Sequence, residues 1–63
     1  MSERNYTVRL MAYRPKAADE CVAEMDVEGC SAAQSEVARH YANHARIFLR
    51  HVRFDYAVAV LVK

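Results

Sequence analysis

The C-terminal segment of this chain, residues 54–63, has the alternating and β-branched pattern of a strand that is apolar on both faces. One face carries Phe54, Tyr56, Val58, Val60 and Val62, and the other carries Ala57, Ala59 and Leu61. The remaining sequence provides only one helix, which covers a single face of a sheet, and we expect it to cover the valine face. The other face is then predicted to need a partner.

Two further strands are predicted in the first half of the chain. Residues 6–14 place apolar side chains at even positions, and residues 20–27 place them at odd positions. Turn residues that begin at Pro15 separate the two segments and predict a hairpin. Both apolar sets point to the same side only if even positions of the first strand lie opposite odd positions of the second. This register places Arg9 opposite Glu24 or Asp26.

A helix is predicted over residues 32–52. Gly29 is expected to end the second strand, and the segment from Ser31 to Gln34 fits a capping box, in which each side chain satisfies a free backbone amide of the first turn. The helical wheel gives one apolar stripe suited to covering a sheet. Its members are Val37, Tyr41, Ala45, Phe48 and Val52.

The element order β-β-α-β predicts an α+β fold that forms one domain over residues 1–63. A right-handed crossover makes the second and third strands parallel, so the first strand fits between them in an antiparallel sheet of order 2-1-3, with the helix packed on one face. The third strand, predicted over residues 54–62, then lies at an edge and is a template for pairing with another chain. We expect a homodimer through this strand or the outer face, or a larger partner docked there.

Length and composition favour a cytoplasmic protein. A chain of 63 residues has a small core and commonly depends on disulfides, metals or oligomerisation. Cys21 and Cys30 lie on one extended segment, about 30 Å apart at about 3.3 Å per residue, so no bridge within the chain is expected. The N-terminal residues differ from a signal peptide, and no apolar run is long enough to span a membrane.

The charged residues are distributed unevenly along the chain. Net charge is +1, but residues 1–30 are net acidic and residues 31–63 are net basic. The sequence therefore predicts an acidic hairpin and a basic helix, with an arginine ridge opposite the apolar stripe. The ridge consists of Arg39, Arg46, Arg50 and Arg53. Such a row is a solvated helix face, a contact for phosphates or a contact for an acidic protein surface.

No residue pattern predicts catalysis or a cofactor. His40 and His44 have the spacing at which two imidazoles meet one metal ion, and Glu36 lies one turn earlier, but no further ligand cluster accompanies them, so no metal is predicted. Cys30 precedes the helix, with no second cysteine at redox spacing, and His40 is expected to lie out of its reach. No glycine-rich phosphate loop and no pair of carboxylates for acid and base catalysis is found.

Two resemblances bear on function. The segment Val22-Ala23-Glu24-Met25-Asp26-Val27-Glu28-Gly29-Cys30 resembles the end of the second strand in HicB-type antitoxins, although their further strand before the helix is missing here. The succession of a strand, an acidic strand and a Ser-Ala-Ala-x-x-Glu-Val-Ala helix at residues 31–38 is similar to short proteins of phages and mobile elements, anti-CRISPR inhibitors among them. Such inhibitors cover a surface of a host complex.

The resemblance implies a non-enzymatic protein that binds and blocks a host protein complex. The expected contact residues are on the outer sheet face and on the arginine ridge. They are Met11, Tyr13, Val22, Arg39, Arg46, Arg50 and Arg53. An alternative is a dimeric nucleic-acid-binding regulator, similar to an antitoxin, that uses the arginine-rich helix. A third hypothesis is metal-dependent assembly through His40 and His44.

Overall fold

The computed structural model describes residues 3–62, which form three strands and one helix. In chain order these are β1 (Arg4–Ala12), β2 (Glu20–Cys30), α1 (Gln34–Phe48) and β3 (Tyr56–Val62). β1 lies between the other two strands and runs antiparallel to both, so the sheet order is β2-β1-β3. The predicted α+β fold, its element order and its sheet order are confirmed.

The hairpin register agrees with the prediction over most of its length. Even positions of β1 from Tyr6 to Leu10 lie opposite odd positions of β2, and Arg9 lies opposite Glu24. The Arg9 Nε atom is 3.2 Å from the Glu24 Oε1 atom, and both side chains are about half exposed. Because water screens an exposed ion pair, this one adds at most about 1 kcal/mol to stability and serves mainly to fix the register.

β2 continues beyond the predicted end at residue 27. The strand runs to Cys30, and Gly29 does not interrupt it. Instead Gly29 adopts φ +63°, and its amide donates a hydrogen bond of 3.0 Å to Asn5 Oδ1. The register shifts at this point, so that Cys30 lies opposite Arg4. Glycine takes a positive φ without steric cost, and the resulting bulge lets the strand continue where the sequence pattern predicted a break.

The start of α1 differs from the predicted capping box. The helix begins at Gln34 rather than at residue 32, and its N-cap is Ala33, which has no side-chain capping bond. The Gln34 side-chain amide donates to the carbonyl of Ala59 in β3, and the Tyr6 hydroxyl donates to the carbonyl of Ala32 at 3.3 Å. Polar groups at the helix start therefore bond to the sheet, which fixes α1 on β1 and β3.

The end of α1 also comes earlier than predicted, at Phe48 rather than at residue 52. The Leu49 amide donates to the Ala45 carbonyl at 2.8 Å, and the Val52 amide donates to the Leu49 carbonyl at 2.9 Å. This short turn ends the helix and leads the chain towards β3, so Val52 cannot belong to the helical stripe. The stripe is also wrong at Phe48, which is 68% exposed.

The core lies between α1 and the inner face of the sheet. Val8 and Leu10 are completely buried, because β1 is the central strand and has neighbours on both sides. The other buried apolar residues are Tyr6, Ala12, Val27, Val37, Ala42, Ala45 and Ala59. Several of the helix and β3 residues in this set are alanines, whose small side chains let α1 approach the sheet closely.

The face of β3 that meets the helix is the alanine face, so the predicted orientation of this strand is wrong. Ala59 is 5% exposed, whereas Val58 and Val60 are 37% and 44% exposed. Ala59 lies opposite Val8, and opposite residues of an antiparallel pair share one face of the sheet. A small side chain in β3 beside the larger side chains of β1 leaves the space that the helix occupies. Alternation alone does not distinguish two apolar faces, whereas side-chain volume does.

Candidate interaction surfaces

The first surface is the outer face of the sheet, which α1 does not cover. Val58, Val60 and Val62 project there from β3 and are between 37% and 45% exposed. Polar residues of β1 lie opposite them, namely Arg9, Thr7 and Asn5. In the described part of the chain no strand pairs with the far side of β3. This edge therefore offers both an apolar row and free backbone hydrogen-bonding groups.

Two of the three sheet residues predicted to bind a partner lie together on the outer face. Tyr13 follows the end of β1 and is 63% exposed, and its ring centroid is 5.3 Å from that of Tyr56. Met11 is half-buried and lies opposite Tyr56. Val22, the third, is the extra β2 residue at the register shift between Leu10 and Met11, and it is half-buried. Tyr56 therefore lies beside Met11 and Tyr13 on the outer face, whereas the prediction had placed Tyr56 on the helix side.

The hydroxyl of Tyr56 fixes the loop between β1 and β2. It donates a hydrogen bond to the carboxylate of Asp19. This bond, together with the negative charge of Asp19, raises the pKa of Tyr56 to about 12, because ionisation removes the donated proton and brings two negative charges together. The bond thus holds the residues before β2 against the first residue of β3.

The second surface is an open cleft of about 600 Å³ at the end of the molecule where β1 and α1 end and β3 begins. We call it the arginine cleft. Four arginines, one aspartate and three apolar residues line it: Arg14, Arg46, Arg50, Arg53, Asp55, Ala12, Val52 and Phe54. The helix and the connection to β3 thus bring three of the four predicted ridge arginines together. Arg39 lies two helical turns before Arg46 and does not line the cleft.

Backbone and side-chain bonds hold the walls of the arginine cleft. The Asp55 amide donates to the Met11 carbonyl at 2.8 Å, and the Asp55 carboxylate accepts a bond of 2.8 Å from the Tyr13 amide. The Arg46 guanidinium carbon is 5.4 Å from the centroid of the Phe54 ring, a cation–π contact. The strand ends and the helix end are therefore joined at the cleft.

Sequence reasoning missed Arg14 and Phe54 as members of this site. Arg14 lies two residues after the end of β1, and Phe54 lies two residues before the start of the antiparallel β3. Antiparallel neighbours bring the end of one strand beside the start of the other. The predicted sheet order therefore already contained the signal that these two residues are neighbours of the helix end.

The histidines form an aromatic row along α1. The His40 ring centroid is 5.0 Å from that of Tyr41, and the His44 ring centroid is 6.0 Å from Tyr41 and 4.6 Å from Phe48. Within residues 3–62 no group of three or more histidine, cysteine or acidic side chains is arranged to hold a metal ion. His51 lies in the turn after the helix. Within this row the exposed Phe48 ring packs against the ring of His44.

Cys30 and His40 both line a cleft of about 500 Å³ beside the start of α1. Among the described residues no hydrogen bond joins the two side chains. Cys30 is half-buried and packs against the core cluster that contains Val27 and Val37. Its surroundings are those of a structural apolar residue.

Within residues 3–62, no helix is long and apolar enough to pass through a bilayer. Comparisons of the chain with protein-family models, with curated proteins and with solved structures found no match.

Proposed function

We propose that this protein is a non-enzymatic interaction module that binds a partner protein through the outer face of its sheet and the free edge of β3. The observation that supports this proposal most is the strand itself. From Tyr56 to Val62 it contains no charged residue, and its valine row remains exposed. Natural edge strands are usually protected by charges or bulges, and an unprotected edge is suited to receive a further strand.

The partner that we propose is a host protein complex in the cytoplasm, blocked by this protein in the manner of a phage-derived, anti-CRISPR inhibitor. An inhibitor that acts by covering a surface requires complementary shape and chemistry rather than a reactive group. The outer face offers main-chain hydrogen bonds, an apolar row and the Tyr13–Tyr56 ring pair in one continuous surface. Tyrosines frequently provide much of the binding energy at protein interfaces.

A second copy of the chain is the other partner that suits β3. Two β3 strands related by a two-fold axis perpendicular to the sheet pair in antiparallel fashion, and residues opposite each other then belong to the same face. Both helices lie on one side, and the two valine rows lie side by side on the other. Because β3 carries no charge between Tyr56 and Val62, no like charges meet across this pair.

The test compares two substitutions of an exposed apolar residue by lysine. Val60→Lys places a charge in the valine row, and Ile47→Lys places the same charge at a 64% exposed position of α1, away from the sheet. Binding to a panel of purified CRISPR effector complexes is measured by biolayer interferometry, and cleavage of target DNA is followed in parallel. We expect the wild type and Ile47→Lys to bind and inhibit, and Val60→Lys to bind at least about 10-fold more weakly.

Native mass spectrometry of the same three proteins tests the dimer. A dimer of the wild type that is lost in Val60→Lys and kept in Ile47→Lys supports pairing through β3. If no effector complex binds and cleavage is unchanged, the inhibitor proposal is wrong. If both lysine variants bind a partner as tightly as the wild type, the interface lies away from the valine row.

A further inference from the structure

We propose that the arginine cleft binds single-stranded nucleic acid, with phosphates held by Arg50 and Arg53 and a base packed against Phe54. This activity is separate from the protein-binding role proposed for the outer face, and it uses other residues. It also differs from binding by the helix face alone, because the site includes Arg14 and Phe54 from outside the helix and excludes Arg39.

The arginine cleft contains guanidinium groups without a carboxylate partner among the described residues. Among the described residues the ion pairs are Arg9 with Glu24 and Arg14 with Glu20. Neither involves the three arginines at the end of α1 and in the connection to β3, which are all exposed: Arg46, Arg50 and Arg53. Their charges are therefore available to an incoming anion, and guanidinium groups bind phosphate oxygens in a bidentate manner.

The acidic groups near the cleft already accept hydrogen bonds. Glu20 accepts a bond of 2.8 Å from Arg14 Nε, and the Asp55 carboxylate accepts one from the Tyr13 amide. Asp19 accepts the bond of the Tyr56 hydroxyl. The negative end of the α1 dipole also lies here, but it amounts to about half an elementary charge. Only one carboxylate, that of Asp55, lines the cleft beside four arginines, so the cleft is positively charged and attracts anions.

An aromatic ring in the cleft indicates the kind of anion that binds. Phe54 is half-buried within the arginine cleft, and the planar Arg46 guanidinium lies over its ring. Unstacked bases pack on aromatic rings and on guanidinium planes, whereas bases within a duplex are already stacked on one another. An acidic peptide uses the arginines but gains nothing from the ring. The combination of an aromatic ring with several unpaired arginines therefore favours single-stranded nucleic acid over a duplex or an acidic polypeptide.

The affinity is expected to depend strongly on salt. For single strands the slope of log K against log salt is about −0.7 per phosphate contact, so the two contacts of Arg50 and Arg53 predict a slope of about −1.4. Affinity then falls about 7-fold between about 50 mM and about 200 mM salt. The measurement is fluorescence anisotropy of a labelled oligouridylate of about twelve nucleotides, with a labelled DNA duplex of equal length for comparison.

Two double variants of equal charge test the location. Arg50→Gln/Arg53→Gln removes two charges from the arginine cleft, and Arg4→Gln/Arg39→Gln removes two from exposed positions outside it. We expect the first to weaken oligouridylate binding at least about 10-fold and to reduce the salt slope by about 1.4, since two contacts are lost. The second is expected to change affinity less than about 3-fold. Equal losses in both variants would mean that net charge alone attracts the strand, and would overturn the site.

Phe54→Leu tests the base contact, and Phe54→Tyr, which keeps the ring, is its control. We expect Phe54→Leu to weaken oligouridylate binding about 10-fold and to leave the binding of inorganic polyphosphate unchanged. Circular dichroism confirms that each variant is folded, and Val60→Lys is expected to retain oligouridylate binding. The proposal would be refuted if the protein bound polyglutamate or the DNA duplex as tightly as oligouridylate and if Phe54→Leu had no effect. The cleft would then be a site for another anion.

Discussion

Replacement of Leu10 by alanine is expected to remove a large part of the stability of this fold. Leu10 is completely buried in the central strand, and its neighbours across the sheet are Ala23 in β2 and Ala57 in β3. These alanines are too short to fill the space that the leucine side chain leaves. A buried Leu→Ala change costs about 2–5 kcal/mol, and the cost rises with the cavity that remains, so we expect about 3–4 kcal/mol here.

This loss is large compared with the total stability. At about 0.05–0.15 kcal/mol per residue, a chain of this length unfolds with a free energy of about 3–9 kcal/mol. The control is Leu61→Ala, because Leu61 lies on the same face of the sheet, opposite Tyr6, and is 50% exposed. Since about half of its surface already meets water, we expect this change to cost about 1 kcal/mol.

Urea unfolding followed by circular dichroism measures both values, with the free energy extrapolated to water and the slope m compared between the variants. The expected result is a lower midpoint for Leu10→Ala at unchanged m, and a much smaller shift for Leu61→Ala. Equal free-energy losses in the two variants, or a loss below about 1 kcal/mol for Leu10→Ala, would refute the placement of β1 at the centre of the core.

Two more predictions concern the loop and the bulge. Because the fold raises the pKa of Tyr56 to about 12, it favours the protonated phenol, so this contribution to stability is present below pH about 10 and is lost as pH rises towards about 12. Tyr56→Phe should flatten the fall in unfolding free energy over that range. Gly29→Ala should cost about 1–2 kcal/mol in urea unfolding, because Gly29 has φ +63°. Its new Cβ would lie 3.3 Å from the flexible carboxylate of Glu3, which is free to move aside.

The controls for these two predictions are small changes at the same sites. Asp19→Asn should lower the pKa of Tyr56, measured from the phenolate absorbance, and an unchanged titration would show that the Asp19 bond does not hold the proton. Gly29→Asn should cost less than Gly29→Ala, because asparagine tolerates a positive φ better than alanine. An alanine variant as stable as the wild type would mean that β2 does not need this backbone conformation.

The sequence was sufficient for the element order and the sheet, because the alternation at Tyr6, Val8 and Leu10 and the helical period of α1 are local signals. It was not sufficient to choose the inner face of β3, since Ala59 and Val60 are both apolar and only the volume beside β1 decides between them. The end of α1 was predicted too late because Val52 continues the helical period of apolar residues. In the structure the turn at Leu49 ends the helix before Val52.

The arginine cleft was foreseen only in part for a related reason. A helical wheel groups residues of one segment, and it found Arg46 and Arg50 but also Arg39, which lies elsewhere. Arg14 and Phe54 enter the site through the pairing of β1 with β3, so their proximity depends on tertiary structure. To predict the members of a site that includes strand ends, the sheet order must be combined with the helical wheel.

The two surfaces share one short stretch of backbone, and this has a thermodynamic consequence. Tyr13 lies on the outer face and the next residue, Arg14, lines the arginine cleft, while the carboxylate of Asp55 accepts the Tyr13 amide bond between them. A ligand that orders this stretch from either side reduces the entropy that the other ligand must still remove. If both proposed ligands bind, we expect positive linkage between the two surfaces, in which each ligand strengthens the binding of the other by the same factor.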